Sequence, residues 1–291
     1  MPTGEQIRQP AGVIHDIGYQ RYNGVRLGRA HATRSLYVHG VRTVFGLGRG
    51  AKSKVFPWFA AAGLLLFAVV DVAVRSQTGT MPIHYLDLAK DGVLLVLLFI
   101  ATAAPELVSR DLRNKTLPLY FSRPLERIDY AVAKLCALAT GVFAILAAPM
   151  LVIFIGGAFS LDGGHAVWHE FTDFLGGLVL AAIIAIVDAA VALLIASLLR
   201  RSAVATAVIA GYFLLTAAIG GAIEGIVGGD TGKNVGRMFS PPSIVDGLKE
   251  WIFRIQGTDL GSFGPVYLAI TLAMTGVAIA LLFLRYRKVS V

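Results

Sequence analysis

The sequence predicts an all-α integral membrane protein with six transmembrane helices and both termini in the cytoplasm. Three observations carry this. Of 291 residues, 56% are hydrophobic and only 15% charged, whereas soluble domains carry about 25% charged residues. Six apolar runs approach or exceed the roughly 20 helical residues that cross a hydrocarbon core about 30 Å thick. Most of the 26 Lys and Arg residues fall in segments that share one side of such a sixfold crossing. Cations flanking short loops stay cytoplasmic, so this sorting orients the chain.

Residues 1–55 read as a basic cytoplasmic arm. They contain no apolar stretch of a signal peptide, so the first span is expected to serve as the targeting signal. Residues 1–33 show no clear period and suggest an irregular lead. From His31 to Phe45, Tyr37, Val41, Val44 and Phe45 share a face at helical spacing while Arg34 and Arg42 lie elsewhere. This pattern suits a helix lying in the membrane interface, with an exposed basic linker as the alternative. Gly46, Gly48 and Gly50 would loosen the chain before the first span.

The spans are expected at Phe56–Val74, Gly92–Val108, Tyr130–Phe159, Phe174–Leu199, Ala203–Val227 and Val266–Leu284, within a transmembrane domain covering 56–286 and followed by a tail at 287–291. The cationic side holds the arm, the loop at 109–129 with Lys134, the Arg200-Arg201 turn and the tail with Arg285, Arg287 and Lys288. The other side holds only Arg75, Lys90, Lys233, Arg237, Lys249 and Arg254. The external segment 228–264 exceeds what a connection needs. In it, Ile244, Leu248, Trp251, Ile252 and Ile255 form a stripe at helical spacing between Pro241-Pro242 and Gly257. This predicts an amphipathic helix at the outer leaflet, with Asp246, Lys249, Glu250 and Arg254 on other faces and Trp251 as an interfacial anchor.

The net charge of +8 belongs beside the spans, where it sets topology and meets anionic headgroups; no nucleic-acid partner is expected. The single Cys136 excludes an internal disulfide and a multi-cysteine metal site, and reads as a small packing residue. Asp71, Glu106, Asp188 and Glu224 lie within or at the ends of spans, where ionisable groups are costly and often functional. Asp188 falls near the middle of the fourth span and suits either a polar translocation surface or a structural hydrogen bond. Glu106 precedes Arg110 by four residues, the spacing of a local ion pair. Asp71 and Glu224 stand near outer ends, within reach of water. Ala181, Ala185, Ala189, Ala192 and Ala196, and Gly221 with Gly225, predict close helix packing. Pro105 and Pro149 predict kinks. His165 and His169 lie four apart in an external loop with Asp162, Glu170 and Asp173 nearby. Polar surface is the expected reading, and no metal site is assigned. Gly228–Asn234 approaches a phosphate-binding loop but carries Val227 where that motif needs Gly and Asn234 where it needs Ser or Thr; no nucleotide site is expected in this chain.

After the second span the chain reads Ser109-Arg110-Asp111-Leu112-Arg113-Asn114-Lys115-Thr116-Leu117-Pro118-Leu119-Tyr120-Phe121-Ser122-Arg123-Pro124-Leu125-Glu126-Arg127 and runs on to Lys134. This run resembles the cytoplasmic loop of type-2 ABC transporter permeases, as do the interfacial helix, the six spans and the external helical segment beyond about residue 30. The resemblance implies a permease subunit of an ATP-driven exporter with no enzymatic site of its own. ATP and Mg would be handled by a partner: two copies of a cytoplasmic ABC ATPase, paired with a dimer of this chain or of this chain and a sister permease. It implies that Asp111, Arg113, Thr116, Ser122, Arg123, Pro124, Arg127 and Lys134 contact the ATPase. Pro124 turns Arg123 away from helix, marking a corner. Two other readings stay open: a polytopic membrane enzyme or scaffold, and an ion-gradient-driven transporter using Asp188, although no inverted repeat supports the latter.

Overall fold

The computed structural model describes residues 24, 27–122, 124–159, 163–254 and 263–287, with the backbone alone for Lys52 and Phe121. The expectations for Arg8, Arg21, Arg26, Arg123, Asp162, Ile255, Gly257, Lys288 and the lead before Gly24 lie outside these residues. Among the described residues every regular element is a helix. Six are long and apolar enough to cross a membrane: Ser53–Thr78, Val93–Arg113, Arg127–Ala158, Gly164–Leu198, Ser202–Val227 and Phe263–Arg287.

Helix α1 (Arg29–Val44) begins inside the segment expected to be irregular. Its buried residues Leu36, Gly40, Thr43 and Val44 recur on one face. That face is rotated about one residue from the expected stripe, leaving Tyr37, Val41 and Phe45 half-buried at its edge and Arg34 and Arg42 exposed. The rotation follows from packing. A Cβ on Gly40 would lie 2.7 Å from the Ala137 methyl, so only glycine lets α1 approach α7 (Arg127–Ala158) this closely. The Tyr37 and Thr140 hydroxyls add a 3.0 Å hydrogen bond. The chain turns at Gly46 and Gly48, both at positive φ, into α2 (Lys52–Thr78).

After α2 come the short α3 (Leu88–Asp91), α4 (Val93–Leu107), α5 (Ser109–Arg113) and α6 (Leu117–Phe121). With α8 (Gly164–Leu198), α7 forms the centre of the bundle. Ala181, Ala185, Ala189, Ala192 and Ala196 are buried along α8, as their small size predicts. The outer helices α2, α9 (Ser202–Val227) and α12 (Phe263–Arg287) expose apolar side chains such as Leu66, Leu215 and Leu272, as lipid-facing surfaces do. Cys136 joins them: it is exposed on α7 rather than serving as a packing residue.

The opposite end of the bundle departs most from expectation. Helix α8 starts at Gly164, so His165, Trp168 and His169 stand on helix rather than in a loop. His169 pairs with Asp173 at 3.1 Å, both exposed. On the same helix Glu170 is buried, accepting both guanidinium nitrogens of Arg75 at 2.7 and 2.9 Å and the Tyr85 hydroxyl at 2.5 Å. Asp71 does not reach water. It is 1% exposed and accepts the Ile83 N–H at 2.8 Å, because residues 79–87 fold over it. Glu224 is exposed, as expected.

Helix α10 (Gly229–Arg237) folds back along α9. A Cβ on Gly220 would lie 2.6 Å from the Gly236 carbonyl oxygen, and one on Gly236 would lie 2.4 Å from that of Gly220. These two glycines make the close helix contact. Gly221 and Gly225, expected to pack helices within one subunit or between two, make no such contact within this one and are exposed, since a helix places neighbours 100° apart and only one column faces α10. The segment expected as an outer-leaflet helix is α11 (Pro241–Ile252). Ile244, Val245 and Leu248 are buried against α8 and α12, and Trp251 and Ile252 stay partly exposed. The apolar stripe therefore divides between protein and surroundings. Lys249 is not on a free face: it is 2% exposed and bonded to Asp246 at 2.6 Å and Asp87 at 2.8 Å.

Candidate functional site

The loop between the second and third spans is built on an ion pair. Pro105 sits near the end of α4, and Val108 at φ −126°, ψ −50° separates α4 from α5. The Ser109 hydroxyl donates to the Ala196 carbonyl oxygen at 2.9 Å, fixing α5 to the end of α8. Lys115 at φ 52° turns the chain back so that the Thr116 N–H meets the Asp111 carbonyl oxygen at 3.1 Å. Pro118 in the first turn of α6 suits a helix start, and buried Leu117 anchors that turn while Leu119 is 69% exposed.

Asp111 then turns inward. The Lys134 ammonium lies 2.8 Å away and the Tyr130 hydroxyl donates to the same carboxylate oxygen at 2.7 Å. Lys134 is 2% exposed and stands over the Tyr130 ring, 5.2 Å from its centroid, and near the Tyr120 ring, geometry that adds cation–π attraction. Tyr130 packs edge-on against Tyr286 of α12, with centroids 5.1 Å apart. Within this chain Asp111 and Lys134 form a tie between loop and span. Leaving a lysine this deeply buried unpaired would be costly.

A shell of charge surrounds the tie. At the start of α7, Glu126 and Asp129 form a capping box, in which the Glu126 N–H donates to the Asp129 carboxylate at 3.0 Å. Arg29 of α1 closes on that carboxylate at 2.7 and 2.9 Å and also pairs with Glu126; the bond to Asp129 holds its guanidinium above the ordinary value, even at an exposed position. The Arg127 guanidinium donates to the Arg287 carbonyl oxygen at 2.7 Å, clamping the end of α12. Glu106 pairs with Arg110 at 3.4 Å, as its spacing predicts, and also with Arg49. Burial pulls the Arg49 guanidinium down, and Glu106 counters that.

The expected contact residues thus separate. Arg113, Ser122 and Pro124 are exposed, Asp111, Thr116 and Arg127 half-buried, and Lys134 buried. Lys115, Arg34, Arg42, Arg200, Arg201, Arg285 and Arg287 are also exposed, so this end of the bundle presents a basic surface. Asp188 is two turns of α8 beyond Ala196, 4% exposed, on the wall of a cavity. The P-loop-like run Gly228–Asn234 lies on α10 and its start, where Asn234 is buried and accepts the Tyr267 hydroxyl through both its oxygens at 2.9 and 3.1 Å.

The family model described as ABC-2 family transporter protein matches residues 55–291. The chain belongs to the ABC-2 transporter family. No curated protein matches it. The ABC-2 chain is a multi-pass membrane protein and a transport component, the permease of an ABC transporter. Membership decides against the reading as a membrane enzyme or scaffold. Permeases of this family work with a cytoplasmic ABC ATPase.

Reading the sequence missed Arg29, Arg49, Tyr130 and Tyr286. Tyr130 carried a signal, since it stands four residues before Lys134 and shares its helix face. Arg29 and Tyr286 meet the site through tertiary packing over long sequence separations and carried none.

Proposed function

We propose that this permease is the membrane-spanning half of an exporter in the plasma membrane. Its basic end lies in the cytoplasm, and a dimer of it engages two ABC ATPase subunits that bind ATP and Mg. The single observation carrying this reading is the Asp111–Lys134 tie beneath an exposed loop. Arg113, Lys115, Leu119, Ser122 and Pro124 offer charge, an apolar knob and a rigid corner to a partner. Asp111 beneath them is joined to α7 by an ion pair and a hydrogen bond. A push on the loop is therefore delivered to the third span instead of being absorbed by a slack connection. Arg123 joins the proposed contact by its place in the sequence between Ser122 and Pro124, and Arg127 passes the load on to α12. Both termini on the cationic side follow from the positive-inside rule. Helix α1 would lie at the cytoplasmic interface with Arg34 and Arg42 toward headgroups, and outward transport follows the family resemblance.

The test is co-purification. Arg113→Glu combined with Lys115→Glu is expected to leave a folded permease that no longer carries a stoichiometric ATPase from its host membrane and no longer stimulates ATP hydrolysis. Unchanged recovery of the ATPase would remove the docking assignment. Labelling of Ser122→Cys in sealed, right-side-out vesicles checks the orientation, with protection from an impermeant thiol reagent expected; Cys136→Ala supplies the background.

A further inference from the structure

A cavity of about 320 Å³ lies between α4, α8, α9 and α11, within the range of small-molecule sites. Its walls are aliphatic and aromatic, with Val96, Ile100, Leu180, Ile184 and Phe213 among them. Leu180, Ile184 and Asp188 succeed one another at one-turn spacing along α8, so the cavity runs lengthwise and Asp188 marks the end toward the basic side. Lys90, Asp246 and Lys249 line the other end, where the charges are satisfied: Lys249 bonds Asp246 and Asp87, and Lys90 stands 3.5 Å from Asp246. Burial pulls the Lys249 ammonium down, but those bonds outweigh it and leave it above its ordinary value.

Asp188 differs from every charge at that mouth. It is 4% exposed and takes part in no hydrogen bond or ion pair among the described residues. A buried carboxylate without a partner is costly. Among the described residues the other buried carboxylates and cations each have at least one partner: Asp71, through one of its two oxygens, Arg75, Lys134, Glu170 and Lys249. Two lining residues, Leu94 and Leu214, are 68% and 53% exposed, so the cavity opens between α4 and α9 onto the apolar outer face of the spans. A ligand arriving there comes through apolar surroundings, and a positive charge on it would repay the burial of Asp188.

We propose that this cavity is a substrate site for lipophilic organic cations, with Asp188 as the counter-ion and the aliphatic walls holding the apolar body. The proposal rests on the chain being a permease, but binding itself needs no ATPase. The test measures saturable binding of tetraphenylphosphonium and of tetraphenylborate, its near-isosteric anion, to the full-length permease in lipid nanodiscs by equilibrium dialysis. The cation is expected to bind saturably and the anion not. Asp188→Asn is expected to weaken the cation at least about thirtyfold, the loss that follows removal of one partner of a desolvated charge pair. Asp188→Glu should retain binding, and Ile184→Trp, which fills the slot, should abolish it. Equal affinity for both ions, or no saturable component for the cation, overturns the proposal, and the comparison of the two ions on the unaltered chain decides even where Asp188→Asn does not fold. An absent ATPase with intact cation binding would instead count against the coupling reading alone.

Discussion

The two ends of this bundle spend their charges differently. At the opposite end, Arg75 is paired with Glu170, Arg237 with Glu250 at 2.6 Å, and Lys249 with Asp87 and Asp246. The first is buried and ties α2 to α8; the others are partly buried and tie α10 to α11 and α11 to the turn before α3. At the basic end buried Lys134 pairs with half-buried Asp111 beneath exposed cations. The charges left exposed at the opposite end are of both signs, with Asp173, Glu224 and Asp230 alongside Lys90, Lys233 and Arg254. The basic end carries an outward excess of cations, which suits it to meet another molecule, headgroups or protein.

The sharpest way to break this contrast is to remove one buried cation from each end. Arg75→Met leaves Glu170 buried with only the Tyr85 hydroxyl, and Lys134→Met leaves Asp111 with only Tyr130. Each is expected to cost about 3–5 kcal/mol, read as a lowered unfolding temperature in detergent. Replacing both partners with apolar residues should recover most of the loss at the Arg75–Glu170 pair. At the basic end the same double replacement should restore stability but not ATPase stimulation, because the loop has lost its rigid connection. Recovery of both would make the tie merely structural.

Next in size is the α9–α10 contact. Gly220→Val places side-chain atoms against the Gly236 carbonyl oxygen, which is backbone and cannot step aside. Overpacking of this kind costs about 1–3 kcal/mol. Gly221→Val, one position on, meets open space and should leave unfolding unchanged. Equal effects from the two would mean that α10 is not seated on α9.

The same contrast sets what was legible in the sequence. All six spans and the charged loop could be read, because hydropathy over 20 residues and the placement of cations are one-dimensional signals. Which Gly column packs, or which charge turns inward, depends on rotations of a fraction of a turn fixed by tertiary contact. Gly221 and Gly225 looked as suitable as Gly220, and Lys134 looked like any lysine opening a span. The stripe Ile244, Leu248, Trp251 and Ile252 showed an amphipathic helix without saying that protein, more than lipid, covers it. At the basic end Asp111 and Arg113 sit two residues apart and read alike, yet one is the base of the loop and the other its surface.

The smallest expected effect tests whether position alone makes a charge structural. Arg29 meets Asp129 and Glu126 and so repeats, outside the bundle, the geometry that buries Arg75 against Glu170. Its guanidinium is exposed, and ion pairs in water contribute little because solvent screens them and two long side chains must be held in place. Arg29→Ala is therefore expected to leave the unfolding temperature within experimental scatter in 0.15 M salt. Its effect should appear in hydrogen exchange, as faster exchange of the first-turn amides of α1, whose end it fastens to α7. A drop in stability as large as that of Arg75→Met would show that the basic end is held together by surface charge. The excess cations there would then have an internal task as well as an external one.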